Sequence, residues 1–267
     1  MKINYKYLKI EKAGYVATVT LNRPEKLNTL SADLMQEIID ASRGFHEDEE
    51  TRVIIFTGAG RCFSAGVDLT DKKNFDRIAQ ASNLMKLRLL KLGPRMIRAI
   101  YEIDQITIAA VNGVAVGGGA CIAAACDFRV GADDCRVGYP EVGIGMNLSW
   151  VALPMCVNLI GPARAKKMVI LAEKEKADTL LDWGFLDDVV PTAGLMKAAH
   201  AMADQFAAKP PVAAQMVKRS VNAIASALDQ AIMHMDADQF LLTTKTEDYL
   251  EGVAAFLEKR EPSFKGN

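Results

Sequence analysis

Apolar and polar positions alternate twice near the start of the chain. Leu8-Lys9-Ile10-Glu11 and Val16-Ala17-Thr18-Val19-Thr20-Leu21 each alternate with period two, with Ala13-Gly14 between them, and this predicts an N-terminal β-hairpin. Past the polar turn Asn22–Asn28, Ser31 is placed to cap a helix that carries Leu34, Ile38, Ile39 and Ser42 on one side. Val53–Thr57 and Ile106–Val111 are continuous apolar runs of strand length, as strands buried on both faces are. Residues 58–68 between them begin as a loop. Residues 72–103 are helical in pattern, with a predicted break near Gly93-Pro94. Phe128-Arg129-Val130 predicts another strand, and 136–141 extends from it. Helical patterns cover 149–159, 162–173 and 176–183, and Phe185–Val190 is a last short strand. Beyond Pro191 the pattern is helical only, over 194–208, 211–226 and 228–259, with a polar tail after it.

Strands alternating with helices, followed by helices alone, predict an α/β core over 1–190 and an α-helical C-terminal region over 191–267. No low-complexity segment and no fixed-period repeat interrupts either part.

The most unusual stretch is Ala109–Cys121. Its apolar start runs into Gly113 and then into Gly117-Gly118-Gly119, and small residues follow to Cys126. Three consecutive glycines cost backbone entropy, which a tight turn or a close approach to the backbone offsets. A helix that starts there offers free N–H groups and the positive end of its dipole, a setting for an oxygen that acquires charge. Tight packing of a glycine turn against a neighbour is the plainer reading of the same residues. A second loop, Ala65-Gly66-Val67-Asp68, has similar backbone. Two N–H donors from separate loops make an oxyanion hole. Other glycine signatures fail: Gly58-Ala59-Gly60 and Gly143-Ile144-Gly145 lack the third glycine of a dinucleotide-binding turn, and neither a phosphate loop nor a Gly-x-Ser-x-Gly elbow occurs.

Composition removes several functional classes. The 267 residues are half hydrophobic, enough for a sizeable core, and the net charge of −1 argues against a general nucleic-acid binder. No 18-residue apolar stretch predicts a membrane span, and Met1–Lys6 has no apolar export signal. The five cysteines (Cys62, Cys121, Cys126, Cys135, Cys156) have no zinc spacing and are odd in number, which predicts reduced thiols in a cytoplasmic protein. His46, His200 and His234 are scattered, so no histidine-based metal site or triad is expected. Glu141 follows Tyr139-Pro140 and precedes Val142-Gly143-Ile144-Gly145. An apolar setting raises a carboxyl pKa toward neutrality and suits a general base; a solvated loop acid is the alternative.

Several motifs, in order, resemble those of the crotonase superfamily, which includes enoyl-CoA hydratases and Δ3,Δ2-enoyl-CoA isomerases. They are Asn22–Asn28, Cys62–Leu69, Ala110–Gly119, Cys126-Asp127, Pro140–Ile144 and, at the C-terminus, Ala255–Arg260 with Phe264-Lys265. The resemblance covers nearly the whole chain. It implies a spiral of ββα turns with an α-helical C-terminal trimerisation part, assembled as a trimer or a dimer of trimers. It implies an acyl-CoA thioester as substrate and no separate cofactor, with no metal, nucleic acid or membrane partner. It places the thioester oxygen on the N–H groups of Val67 and Gly118, with Gly117 beside them. It places CoA along Lys26, Leu27, Ala65, Asp68 and Leu69, and near Phe264 and Lys265, the last two from a neighbouring subunit in some members.

One departure from the family pattern bears on the chemistry. Hydratases of the superfamily carry two glutamates, and the position of the first is Cys121 here, which leaves Glu141 alone. One base is enough to move a proton from C2 of a 3-enoyl thioester to C4, so the expected reaction is Δ3-to-Δ2 isomerisation. Hydration of a 2-enoyl thioester is the nearest alternative, followed by other lyase or hydrolase chemistry of the superfamily and by a non-catalytic acyl-CoA-binding scaffold. Trp150, nine residues after Glu141, resembles an aromatic of the one-glutamate isomerases. Cys121 near a helix N-terminus reads either as a nucleophile or as a pocket wall; its apolar neighbours and the lack of a nearby histidine favour the wall. Tyr139 and Asn147 are further candidates for contact with the acyl chain or with water.

Overall fold

The computed structural model describes residues 4–267; residues 1–3, part of the N-terminal segment read for an export signal, lie outside it. The hairpin of β1 (Leu8–Ala13) and β2 (Val16–Leu21) forms as the alternation requires, in antiparallel register with Leu8 opposite Leu21. Ser31 caps α1 (Ala32–Gly44), its hydroxyl accepting the Leu34 N–H. The chain then winds in repeating turns. In each turn one strand enters a first sheet, the next enters a second, and a helix returns. β3 (Val53–Gly58) and β4 (Cys62–Ser64) lead to α2 (Lys72–Gln80), α3 (Asn83–Leu90) and α4 (Leu92–Tyr101). β5 (Ile106–Val111) and β6 (Val114–Val116) lead to α5 (Gly118–Ala125). β7 (Phe128–Ala132) and β8 (Arg136–Gly138) lead to α6 (Ala152–Ile170). β9 (Lys174–Lys176), α7 (Ala177–Trp183) and β10 (Asp188–Val190) close the series.

The first sheet has the order β1-β2-β3-β5-β7-β10, parallel from β2 onward; the second has the order β4-β6-β8-β9. β3 and β5 are buried at every position, which explains their continuous apolar runs. The strands of the second sheet are three residues long and too short to carry a periodic signal, so β4, β6 and β9 are absent from the sequence reading.

Three boundaries differ from the sequence expectation. The stretch 72–103 does break near Gly93-Pro94, at Lys91, with Pro94 in the first turn of α4 where proline is tolerated, but a second break after Gln80 makes it three helices instead of two. The expected gap between 159 and 162 is a kink at Gly161 (φ 77°) inside α6. The single helical span over 228–259 is three helices, α10 (Gln230–Met233), α11 (Asp236–Thr243) and α12 (Glu247–Glu258), the last capped by Thr246.

After β10 the chain is helical. α8 (Leu195–Ala207) sets Leu195, Ala199, Ala203 and Ala207 on one buried stripe against β2, β3, β5 and β7, so it packs as part of the core. α9 (Pro211–Ala225) follows with one buried residue, Lys218. Its ammonium meets Asp127 Oδ2 at 2.7 Å and donates to Gln105 O, while Asp127 also accepts the Thr107 N–H. The Cys126-Asp127 motif is in this way tied into the sheet.

Candidate active site

The two glycine-bearing loops meet. Leu30 N–H donates to Gly66 O and Asp68 N–H donates to Leu30 O, so the bridge passes on either side of Val67. Gly66 has φ +82°, and a Cβ there would lie 2.8 Å from Val116 O and 3.6 Å from Gly118 N. Only glycine permits both that conformation and that approach. Gly118 is the first residue of α5, so its N–H has no acceptor within the helix. Gly119 is equally forced: a Cβ would lie 2.4 Å from Ser64 O, the contact that seats α5 on β4. Tight packing therefore brings Val67 and the free Gly118 N–H at the start of α5 into one pair of adjoining loops.

Glu141 lies beside this pair. A Cβ on Gly117, whose φ is +53°, would lie 3.0 Å from Glu141 Oε1. Its other oxygen, Oε2, is buried and has no hydrogen-bond partner. Burial pushes the carboxyl up from its ordinary 4.5 to about 7, and only its own backbone N–H pulls the other way. The segment that carries it is fixed by its carbonyl, which accepts the N–H groups of Ile144 and Met146. The solvated-loop reading of Glu141 does not hold.

Cys121 is 2% exposed. Burial, then the neighbouring Glu141 charge, pushes its thiol well above the usual cysteine range. A thiol so held does not ionise near neutral pH, which removes the nucleophile reading and leaves a buried wall residue. All five cysteines are free and buried. Tyr139 is fully buried, and its hydroxyl has no hydrogen-bond partner. Asn147 is engaged with α11: its amide donates to Gln239 Oε1, and its oxygen accepts the Thr243 hydroxyl.

The candidate CoA residues gather on the outer side of the first loop. Lys26 and Leu69 are exposed, and Ala65 N–H donates to Leu27 O. Asp68 is different, being 3% exposed and ion-paired at 2.9 Å with the buried Arg23 guanidinium. Burial raises its carboxyl, but the Thr70 hydroxyl and Arg23 outweigh that and hold it below the ordinary range. The Arg23 guanidinium also donates to Thr29 O, so this pair clamps the loop that carries Val67. Phe264, 45% exposed, and Lys265 lie on the tail that folds against α12, where Lys265 N–H donates to Asp248 Oδ1.

Two contributors, Leu30 and Asp236, escaped the sequence reading, whereas Trp150 entered it through the family resemblance. Leu30 and the Trp150 ring press on Gly118: a Cβ there would lie 2.7 Å from Leu30 Cδ1 and 2.6 Å from Trp150 Cζ3. Asp236 reaches the same wall from α11, accepting the Val151 N–H at 2.5 Å. No motif marks Asp236, because its partner lies 85 residues away. Among the described residues no group of three or more His, Cys, Asp or Glu side chains could hold a metal ion, and no helix is long and apolar enough to cross a membrane.

The model of the enoyl-CoA hydratase/isomerase family matches residues 11–267. The chain is 33% identical over 253 residues to a short-chain-enoyl-CoA hydratase of Clostridium acetobutylicum, spanning 94% of this chain and 95% of that one. It is 33% identical over 262 residues to a crotonyl-CoA hydratase of Syntrophomonas wolfei, spanning 97% and 98%. Among solved structures, an enoyl-CoA hydratase from Mycobacterium avium subsp. paratuberculosis superposes with a TM-score of 0.86 at 27% identity, over 98% of this chain and 100% of that one.

Proposed function

Because the chain belongs to the enoyl-CoA hydratase/isomerase family, with the α/β fold of the crotonase superfamily, we propose that it moves the double bond of an enoyl-CoA thioester from the 3 to the 2 position with Glu141 as its one base. The thioester oxygen sits between the N–H groups of Val67 and Gly118. As the C2–H bond breaks, its electrons spread into a dienolate whose negative oxygen those donors hold; one such donor is worth about 10²–10³-fold in rate. Glu141 takes the C2 proton and returns it at C4, which leaves the C2–C3 double bond conjugated with the thioester. A carboxyl poised at about 7 gives and accepts a proton with little bias near neutral pH, as a shuttle requires.

The observation that carries this reading is Cys121. Where a second carboxylate would stand there is a buried thiol amid apolar neighbours, and Glu141 is the carboxylate beside Gly117. Hydration of a 2-enoyl thioester is the second reading. The hydratase names of the relatives support it, and it asks Glu141 to work on a water held by other groups.

The CoA moiety then lies along Lys26, Leu27, Ala65 and Leu69, with Asp68 fixing the loop through Arg23. Self-association as a trimer or a dimer of trimers belongs to the same proposal. Its support is the outer face of α9, where Val212, Met216, Val217, Val221 and Ile224 stand exposed at helical spacing.

The test is turnover of a 3-enoyl-CoA and a 2-enoyl-CoA of equal length by the wild type and Glu141→Gln, followed through the ultraviolet band of the conjugated thioester. Conjugation gained from the 3-enoyl substrate and abolished by Glu141→Gln supports isomerisation. Conjugation lost from the 2-enoyl substrate supports hydration. Binding without turnover by either protein refutes both.

A further inference from the structure

The C-terminal helices grip the loop that follows Glu141. α11 presents Asp236, Gln239 and Thr243, spaced three and four residues apart and hence on one face, and each bonds to that loop. Asp236 accepts the Val151 N–H; Gln239 and Thr243 hold the two ends of the Asn147 amide. α12 presses from beside it: a Cβ on Gly252 would lie 2.6 Å from Ile144 C, and one on Gly145 would lie 2.7 Å from Tyr249 Cα.

The loop so held is strained. Trp150 (φ +63°) and Val151 (φ +56°) are consecutive non-glycine residues in the left-handed region. A β-branched residue there is a conformational outlier and persists only where its surroundings enforce it. The strain has a visible product. It turns the Trp150 indole into a slot between α4 and α5 that two glycines leave open: a Cβ on Gly93 would lie 2.1 Å from Trp150 Cε2, and one on Gly118 would lie 2.6 Å from Trp150 Cζ3. The ring therefore rests on the residue whose N–H is the second oxyanion donor.

We propose that Asp236 is a positioning residue: through the Val151 N–H it locks the strained Trp150–Val151 pair, so that the Trp150 indole walls the acyl pocket behind Gly118 and restricts the site to short acyl thioesters. The inference deepens the function proposed above and rests on it, since the length limit has meaning only if an acyl group leaves the Val67–Gly118 donor pair on that side. The electrostatic surroundings of the carboxylate agree with a structural acceptor. Burial raises its pKa, while the Val151 N–H and the Arg98 guanidinium on α4 pull it back. Gln239 and Thr243 bond to the same loop, but only Asp236 meets the strained pair itself.

The experiment compares the wild type, Asp236→Asn, Asp236→Ala and Trp150→Leu on four-carbon and eight-carbon enoyl-CoA thioesters. The wild type and the two Asp236 variants are also made in a Trp183→Phe background, so that Trp150 is the one remaining tryptophan and its fluorescence reports the wall directly. Asp236→Ala is expected to lower kcat/KM for the four-carbon substrate about tenfold, because a misplaced wall disturbs the reacting geometry. It is expected to raise the eight- to four-carbon ratio in the same direction as Trp150→Leu, and to make Trp150 emission red-shifted and more readily quenched by acrylamide. Asp236→Asn keeps an acceptor for Val151 and is expected to restore the length ratio and the emission to near wild type.

A fall in melting temperature for Asp236→Ala with unchanged length ratio and unchanged emission overturns the proposal. So does Asn behaving as Ala, or Trp150→Leu leaving the length ratio where it was. Absence of turnover of either substrate by the wild type is failure of the enoyl-CoA reading. The length limit falls with it, and the emission of the Asp236 variants then decides the clamp alone.

Discussion

Replacing Glu141 by glutamine changes stability with pH as well as activity. Glutamine is nearly isosteric and neutral at every pH. In the wild type the folded carboxyl releases its proton at about 7 instead of its ordinary 4.5, because burial leaves Oε2 without a partner. Below 4.5 both folded and unfolded forms are protonated, and no penalty exists. Between 4.5 and about 7 the unfolded chain ionises while the folded one does not, so wild-type stability falls as pH rises. Above about 7 the loss is complete, and the interval corresponds to at most about 3 kcal/mol. A chain of 267 residues changes stability by about 0.6 kcal/mol per degree near its midpoint, which makes the difference about 5 °C. Glu141→Gln should therefore melt at nearly the wild-type temperature near pH 4.5 and about 5 °C above it near pH 8. The assay is calorimetry at fixed protein concentration across that range, paired with the pH profile of kcat/KM, which should rise through about pH 7 in the wild type. A melting difference that stays constant with pH, or a rate profile flat between about pH 6 and 8, refutes the assignment of Glu141 as a buried, neutral-poised base.

Cys121→Ser should keep the wild-type rate to within about threefold, and native protein at pH 8 should resist iodoacetamide at this thiol as judged by mass spectrometry, since burial holds it protonated. Asp68→Asn leaves the Arg23 guanidinium buried without its counter-charge and should cost about 3 kcal/mol or more, read by urea denaturation. The stability that this pair contributes is present above the ordinary carboxylate range and is lost as pH falls through the lowered Asp68 value, so wild type and variant should converge in acid. Gly66→Ala places a methyl 2.8 Å from a backbone oxygen at a φ of +82°; turnover should fall at least about 10²-fold, with CoA-thioester binding measured separately by calorimetry.

Local pattern was enough for the elements that carry their own signal. The alternation of Leu8–Leu21 made the hairpin, Ser31 set the start of α1, and the unbroken apolar runs at Val53 and Ile106 made central strands, because burial on two faces demands side chains without polar partners. The glycines at 66 and 117–119 announced close backbone approaches, and the apolar flanks of Glu141 announced one raised carboxyl. There the chemistry depends on residue type and near neighbours, and the sequence contains both. The order of the motifs identified the superfamily.

Tertiary structure alone decided the rest, and in each case the cause is distance along the chain. Asp68 looked like a ligand-facing acid until Arg23, 45 residues away, neutralised it in a buried pair. Cys121 kept a nucleophile's position but not its ionisation, since how far a thiol is buried depends on what packs over it. The three-residue strands of the second sheet exist only because their partners lie beside them. Asp236 and the left-handed Trp150–Val151 pair have no local signature at all. The strain is tolerable only once α11 has folded back over the loop, and a contact that holds residues against their own preferences is the one kind that no pattern of preferences along a sequence can express.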